Sequence, residues 1–162
     1  MAKVLIIVGS KNDLELTKDS KEIFDRIGID YEVKIASSHR NPERLRKIVE
    51  NSDASVFIGG AGLAAHLPGA IASLTEKPVI GIPISAALLG LDSLFSIVQM
   101  PKGVPVACVG INRFDNAAIL AAEIIGIEDE KVRDKIKELR EELRMESEGE
   151  SSFKKVGFKT KG

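Results

Sequence analysis

Apolar positions along the chain switch between two periods. Val4–Val8, Ala54–Ile58, Val79–Ile82 and Val104–Val109 are short, nearly continuous apolar runs, as expected for parallel strands covered on both faces. Tyr31–Ile35 alternates instead, which predicts a strand at a sheet edge. Between these runs the period becomes helical. Leu16, Ser20, Ile23, Phe24 and Ile27 share one face, and Gly28 follows as a stop. Asn41-Pro42-Glu43 is a helix start, with a cap, a proline at the first position and an acid in the first turn. Helical stretches over Leu63–Leu74, Leu89–Val98 and Asn116–Ile125 fill the remaining gaps. Five strand–helix alternations predict one three-layer α/β domain with a five-stranded parallel sheet and right-handed crossovers. Asp129–Met145 repeats Val132, Ile136, Leu139 and Leu143 among charges, a solvated helix packed on the body or on a neighbouring subunit. The expected organisation is an α/β catalytic domain over 1–127, this helix over 128–145, and a charged, loosely ordered tail over 146–162.

Composition narrows the class. At 162 residues, 44% hydrophobic and 29% charged, the chain is of ordinary globular make-up and about one domain long. No apolar run approaches the roughly 20 residues of a membrane span. The run that follows Lys3 is too short for a signal-peptide core, so a cytoplasmic protein is expected. Cys108 is the single cysteine and there are two histidines, which argues against a disulfide and against a metal site. Cys108 reads as strand packing. A formal charge of −1 gives no case for nucleic acid or anionic membrane as partner.

Candidate chemistry is confined to three polar stretches that each follow a strand and precede a helix. These are Gly9-Ser10-Lys11-Asn12-Asp13, Ser37-Ser38-His39-Arg40-Asn41-Pro42, and the glycine-rich Gly59–His66. Ligands of parallel α/β sheets sit at the carboxyl ends of the strands, where free backbone N–H groups face an anion. Ser10 and Asn12 suit a phosphate, while Asp13 suits either ribose hydroxyls or the cap of the first helix. Arg40 is a forked phosphate partner. His39 beside it is either a structural imidazole or a group that moves protons near neutral pH. Gly60, Gly62, Leu63 and Ala64 allow close backbone approach of a ligand, and Gly60–Ala65 also fits G-x-G-x-x-A. That fingerprint lacks its acid near Ile82–Ala87 and follows the third strand rather than the first. No G-x-x-x-x-G-K-[ST] occurs, which excludes a P-loop ATPase.

Ser37–Pro42, Ala61–Gly69, Gly90–Pro101 and Asn116-Ala117-Ala118, in this order, resemble the N5-carboxyaminoimidazole ribonucleotide mutase family over roughly residues 3–127. The resemblance implies a flavodoxin-like α/β/α sandwich, a homo-octamer, and an isomerase of purine biosynthesis. Such an enzyme moves a carboxylate from the exocyclic nitrogen of its ribonucleotide to the ring carbon, without ATP, metal, biotin or another cofactor. It also implies that Ser10, Asp13 and Arg40 bind the ribose phosphate with help from Ser37 and Asn12, where a serine is usual in place of Asn12. His39 becomes the general acid/base, and the glycine-rich loop with His66 lines the pocket for the base and released CO2. Asn41 stands where threonine is common, and Ile111–Asp115 departs from the family pattern.

Two other readings share this fold. A sister class carboxylates aminoimidazole ribonucleotide from dissolved CO2, with lysine usual after its catalytic histidine, where this chain has Arg40. A flavodoxin-like binding module for flavin or a nucleotide would want stacking aromatics, yet the chain has no Trp and the three loops hold no Phe.

Charge is unevenly spread. Residues 128–162 hold ten acidic and ten basic side chains, whereas residues 59–127 hold seven charged residues in 69 positions. A small monomer leaves about a third of its chain surface in water, too much for so charge-poor a segment to escape. Burial of this middle third between subunits is therefore expected. Light scattering at micromolar concentration should show an assembly larger than one chain; a monodisperse monomer contradicts it.

Overall fold

The computed structural model describes residues 3–147. Strands β1 (Val4–Val8), β2 (Tyr31–Ile35), β3 (Val56–Gly62), β4 (Val79–Ile84) and β5 (Ala107–Cys108) pair in parallel in the order β2-β1-β3-β4-β5. The alternating Tyr31–Ile35 does lie at an edge, and the apolar β1 and β4 are buried along their whole length. Chain order reverses at β1, whose first residue, Val4, faces both Tyr31 and Val56.

Among the described residues, six α-helices surround the sheet: α1 (Lys18–Ile27), α2 (Pro42–Glu50), α3 (Leu67–Ala72), α4 (Leu91–Val98), α5 (Phe114–Ile125) and α6 (Glu130–Ser147), the last lying over α1 and α5. The strand period of two divides the core between them. Val4, Ile6 and Val8 pack with Phe24 of α1, Phe114 and Ala121 of α5, and Val132, Ile136 and Leu139 of α6. Leu5, Ile7 and Phe57 pack on the other face with Leu45 of α2, Leu67 and Ile71 of α3, and Ile97 of α4. The result is the expected three-layer flavodoxin-like sandwich with an additional C-terminal helix. That helix docks on its own body. Its ion pairs, Lys3–Asp129, Arg26–Glu142 and Arg140–Glu123, are exposed and worth little, so the stripe of Val132, Ile136 and Leu139 holds it. Of the expected tail, residues 148–162 lie outside the described residues.

Several boundaries differ from the sequence reading, each for a local reason. Two 3-10 turns, Lys11–Asp13 and Glu15–Thr17, precede α1, which starts at Lys18 rather than Leu16. It does end at Gly28, whose φ of 84° closes an N–H to Phe24 C=O bond of 2.8 Å. Helix α3 is far shorter than Leu63–Leu74. Leu63 takes φ +55°, which no helix tolerates, and Pro68 in the first turn marks the start. Strand β5 is two residues long instead of Val104–Val109, because Pro105 has no N–H to give the ladder. Cys108 is partly buried there, and that burial pushes its thiol pKa up.

The largest correction concerns the glycines. β3 does not stop at Ile58 but runs on to Gly62, with Gly59 opposite Gly81 and Gly62 opposite Ile84. A Cβ on Gly60 would lie 2.9 Å from Phe114 Cζ, and one on Gly59 would lie 3.1 Å from Pro68 Cα. Gly59 and Gly60 thus admit α3 and α5 against the sheet, and their backbone belongs to the strand rather than to an anion-binding loop. Gly81 is tighter still: its Cβ would lie 2.5 Å from Ile97 Cγ2 and 2.9 Å from Val106 Cγ1. Gly81→Ala should destabilise the fold by about 2 kcal/mol through overpacking, read by denaturant titration; an unchanged midpoint contradicts this account of the glycines.

Candidate active site

Because β2, β1 and β3 are neighbours and parallel, the segments leaving their carboxyl ends must meet above the same edge of the sheet. That edge is the switch point of a doubly wound sheet, where such folds bind ligands. Each segment is shaped by its own short-range bonds.

After β1, Ser10 is extended and opens the Lys11–Asp13 turn, with Asp13 N–H on Ser10 C=O at 3.3 Å. Ser10 Oγ donates to Asp13 Oδ2 at 2.8 Å. Asp13 therefore does not cap α1, whose cap position is Thr17, and its carboxylate stays beside Ser10. Asn12 is exposed on the same turn.

After β2, Ser37–Arg40 forms a tight turn closed by Asn41 N–H on Ser37 C=O at 3.0 Å and Arg40 N–H on Ser37 Oγ at 3.2 Å. Asn41 Oδ1 then accepts from Arg44 N–H at 3.0 Å, with Pro42 at the first helical position, so asparagine caps α2 as read from the sequence. Arg40 reaches back across the edge and donates from its guanidinium to Gly9 C=O at 2.9 Å. This bond joins the first two segments and keeps a cation beside Ser10.

After β3, Leu63 turns the chain, His66 N–H bonds to Ala64 C=O at 2.8 Å, and His66 stands at the cap position of α3. His39 Nε2 lies 2.8 Å from His66 Nδ1, with the ring centroids 4.9 Å apart and the planes crossed at 79°. This second bond joins the second segment to the third. The whole set of Ser10, Asp13, Ser37, His39, Arg40 and His66 is thereby one cluster at the switch point. Gly62, Leu63 and Ala64 lie at its third side. Gly60 does not reach it: the residue is buried in β3 under Phe114.

The cluster is an open, polar surface on a single chain. A groove of about 440 Å³ is lined by His66, Gly69, Ala70, Phe95, Ser96, Gln99 and Met100. Chemically, the cluster gathers a guanidinium, a hydroxyl and turn amides, donors of the kind that bind anions, with the Asp13 carboxylate beside them. Beside that lies an imidazole whose ring is held by a second imidazole. Among the described residues, no three His, Cys, Asp or Glu side chains gather closely enough to hold a metal ion.

Sequence reading treated the two histidines as separate features and missed their bond. The signal was present: each lies four residues past the end of its strand, and both strands flank β1. Reading it required the correct end of β3, which the glycines concealed. Asn112 was also missed as a structural residue. At φ +58° it accepts from Ser85 N–H through Oδ1 at 3.0 Å and gives its own N–H to Pro83 C=O at 2.8 Å, fixing the end of β4 within the chain.

Residues 3–146 match the family model described as AIR carboxylase. A Methanocaldococcus jannaschii relative named N5-carboxyaminoimidazole ribonucleotide mutase is 53% identical over 141 residues, covering 87% of this chain and 90% of that one. A Thermotoga maritima relative of the same name is 49% identical over 164 residues, covering 98% and 96%. The crystal structure of Treponema denticola PurE superposes with a TM-score of 0.82 at 27% identity, covering 94% and 98%.

Arg40→Met keeps the length of the side chain but removes its charge and its donors. Affinity for a phosphate-bearing ligand should fall about tenfold or more, the ~1.5–3 kcal/mol of a charge-assisted hydrogen bond, as measured by calorimetry. Unchanged affinity would place the anion site elsewhere.

Proposed function

The chain belongs to the AIR carboxylase family, and on that premise we propose that it is the N5-carboxyaminoimidazole ribonucleotide mutase of purine biosynthesis. It is an isomerase that moves the carboxylate of its ribonucleotide from the exocyclic nitrogen to the ring carbon. The observation that carries the reading to this chain's own residues is the clamp of Arg40 on Gly9 and His39 on His66, which gathers an anion site and an imidazole at one sheet edge. Relatives near 50% identity bear the mutase name, and Arg40 stands where the direct carboxylases usually have lysine, so the mutase is preferred to direct use of CO2.

In this reading the ribose phosphate rests on Ser10, Asn12, Ser37 and Arg40, with Asp13 toward the ribose hydroxyls. His39 faces the imidazole ring of the substrate, between that anchor and the segment Gly62–His66. Protonated His39 gives its proton to the exocyclic nitrogen as the N–C bond breaks and CO2 leaves. The enamine-like ring carbon then attacks CO2, and the proton it carries passes to the same imidazole. The proton given in the first step is recovered in the last, so the cycle closes without an outside acid or base. Much of the acceleration comes from keeping CO2 beside the ring carbon.

The working form in this reading is a homo-octamer in the cytoplasm. Self-association is supported by an exposed apolar face around α4: Leu88, Leu89 and Phe95 are 73%, 84% and 60% exposed. Leu88 and Leu89 hold φ of +44° and +58°, each costing roughly 1 kcal/mol, and among the described residues both side chains stand largely uncovered. Asp92 beside them has a buried Oδ1 with no hydrogen-bond partner among the described residues. A second copy seated here would cover the leucines.

Purified protein mixed with the N-carboxylated ribonucleotide, with no ATP or metal added, should form the ring-carboxylated isomer, followed by absorbance. His39→Asn should abolish that turnover while the ribonucleotide still binds. If the variant keeps more than about a tenth of wild-type kcat, a loss below ~1.4 kcal/mol, His39 is not the acid/base.

A further inference from the structure

We propose that His66 is a positioning residue for His39: its Nδ1 accepts the Nε2–H of His39 and so decides which nitrogen of that ring meets the substrate. The inference rests on the functional reading above and adds to it the device that keeps one imidazole fit for both proton steps.

The chemistry sets the requirement. A single nitrogen must hold a proton when the exocyclic nitrogen needs it and present a lone pair when the ring carbon gives one up. For one nitrogen to do both without the ring turning over, the other must stay protonated through the cycle. A neutral imidazole has two tautomers, and the bond made by the far nitrogen selects between them. Among the described residues, His66 is the one hydrogen-bond partner of the His39 ring, at 2.8 Å. With His66 accepting at Nδ1, neutral His39 keeps Nε2–H and leaves Nδ1 bare as the base. Protonated His39 carries N–H on both nitrogens, and the Nε2–H bond to His66 becomes charge-assisted.

Both side chains are exposed, but they stand on differently anchored backbones. His39 is exposed on a four-residue turn held by two bonds to Ser37. His66 is fixed from below: Ala70 N–H bonds to its carbonyl at 2.9 Å, and the next two residues, Leu67 and Pro68, are buried. Pro68 sits against Gly59 and Gly81, where a Cβ would come within 3.1 and 3.2 Å of it, so the start of α3 is packed directly on β3 and β4. The histidine carried by the packed start of α3 orients the one carried by the turn. The missing side chains of Gly59 and Gly81 are thereby connected to the geometry of proton transfer.

Three variants and one spectroscopic reading test this. His66→Asn places Oδ1 close to where Nδ1 lies and keeps the acceptor, whereas His66→Leu removes it. The Leu variant should lose kcat about tenfold or more with KM changed less than about threefold, and the Asn variant should recover most of the loss. Because the chain has two histidines, the Leu variant leaves His39 as the sole imidazole, and ring 15N shifts report its tautomer directly. Wild type should show His39 with Nε2 protonated and Nδ1 bare when neutral; the Leu variant should show a mixture. His39→Asn with wild-type His66 supplies the shift assignment. The proposal is overturned if wild-type His39 is protonated at Nδ1 instead, or if the folded Leu variant keeps kcat within about threefold. The wild-type shifts decide the matter even if the Leu variant does not fold. They also need no turnover, so a wild type that fails to convert the N-carboxylated ribonucleotide would sink the functional reading without touching this measurement.

Discussion

Parallel pairing of β1 with β2 on one side and β3 on the other is the constraint on which the site depends. It places the carboxyl ends of three strands side by side, so their connections leave the sheet together. Antiparallel pairing would send one of them to the opposite edge. Two bonds then turn proximity into a defined cluster. Arg40 to Gly9 C=O joins the segments after β2 and β1, and His39 to His66 joins those after β2 and β3. Both bonds start from the turn Ser37–Arg40, which makes that turn the centre of the arrangement.

The sheet itself depends on close approach. Gly59, Gly60 and Gly81 sit where α3, α4 and α5 press nearest the strands, and the side chains filling those places are Pro68, Ile97 and Phe114. The buried hydroxyl of Ser20 ties α1 to α5 through Phe114 C=O at 2.6 Å. Pro68 packs against Gly59 and Gly81 two residues after His66, so the core of the sheet supports the segment that carries His66.

Much of this was legible in the sequence because burial on both faces leaves a strong signature. β1 carries five consecutive apolar residues and could hardly be anything but an inner strand, and Asn41-Pro42-Glu43 announced α2 through elementary capping chemistry. The polar segments stood out because so little else in the first two-thirds of the chain is polar at strand ends. What was not legible involved glycine. A glycine that admits a helix and a glycine that admits a ligand have the same letter, so Gly59–Gly62 read as a loop when the partner residues 81–84 make it a strand. That error hid the length of β3, and with it the equal spacing of His39 and His66 from the ends of their strands. Leu63 offered no warning either, since leucine at positive φ is uncommon and is stabilised by surroundings rather than by its own preference.

In the proposed mutase, one ribonucleotide lies across all three segments, with its phosphate on Ser10 and Arg40 and its ring at His39. A crystal structure of the protein soaked with the ring-carboxylated ribonucleotide tests it most directly. The account predicts the phosphate within hydrogen-bond distance of Ser10 Oγ and the Arg40 guanidinium, and His39 Nδ1 within about 3.2 Å of the carboxylated ring. A ribonucleotide bound instead in the groove over Gly69, Phe95 and Met100, with its ring away from His39, would contradict it.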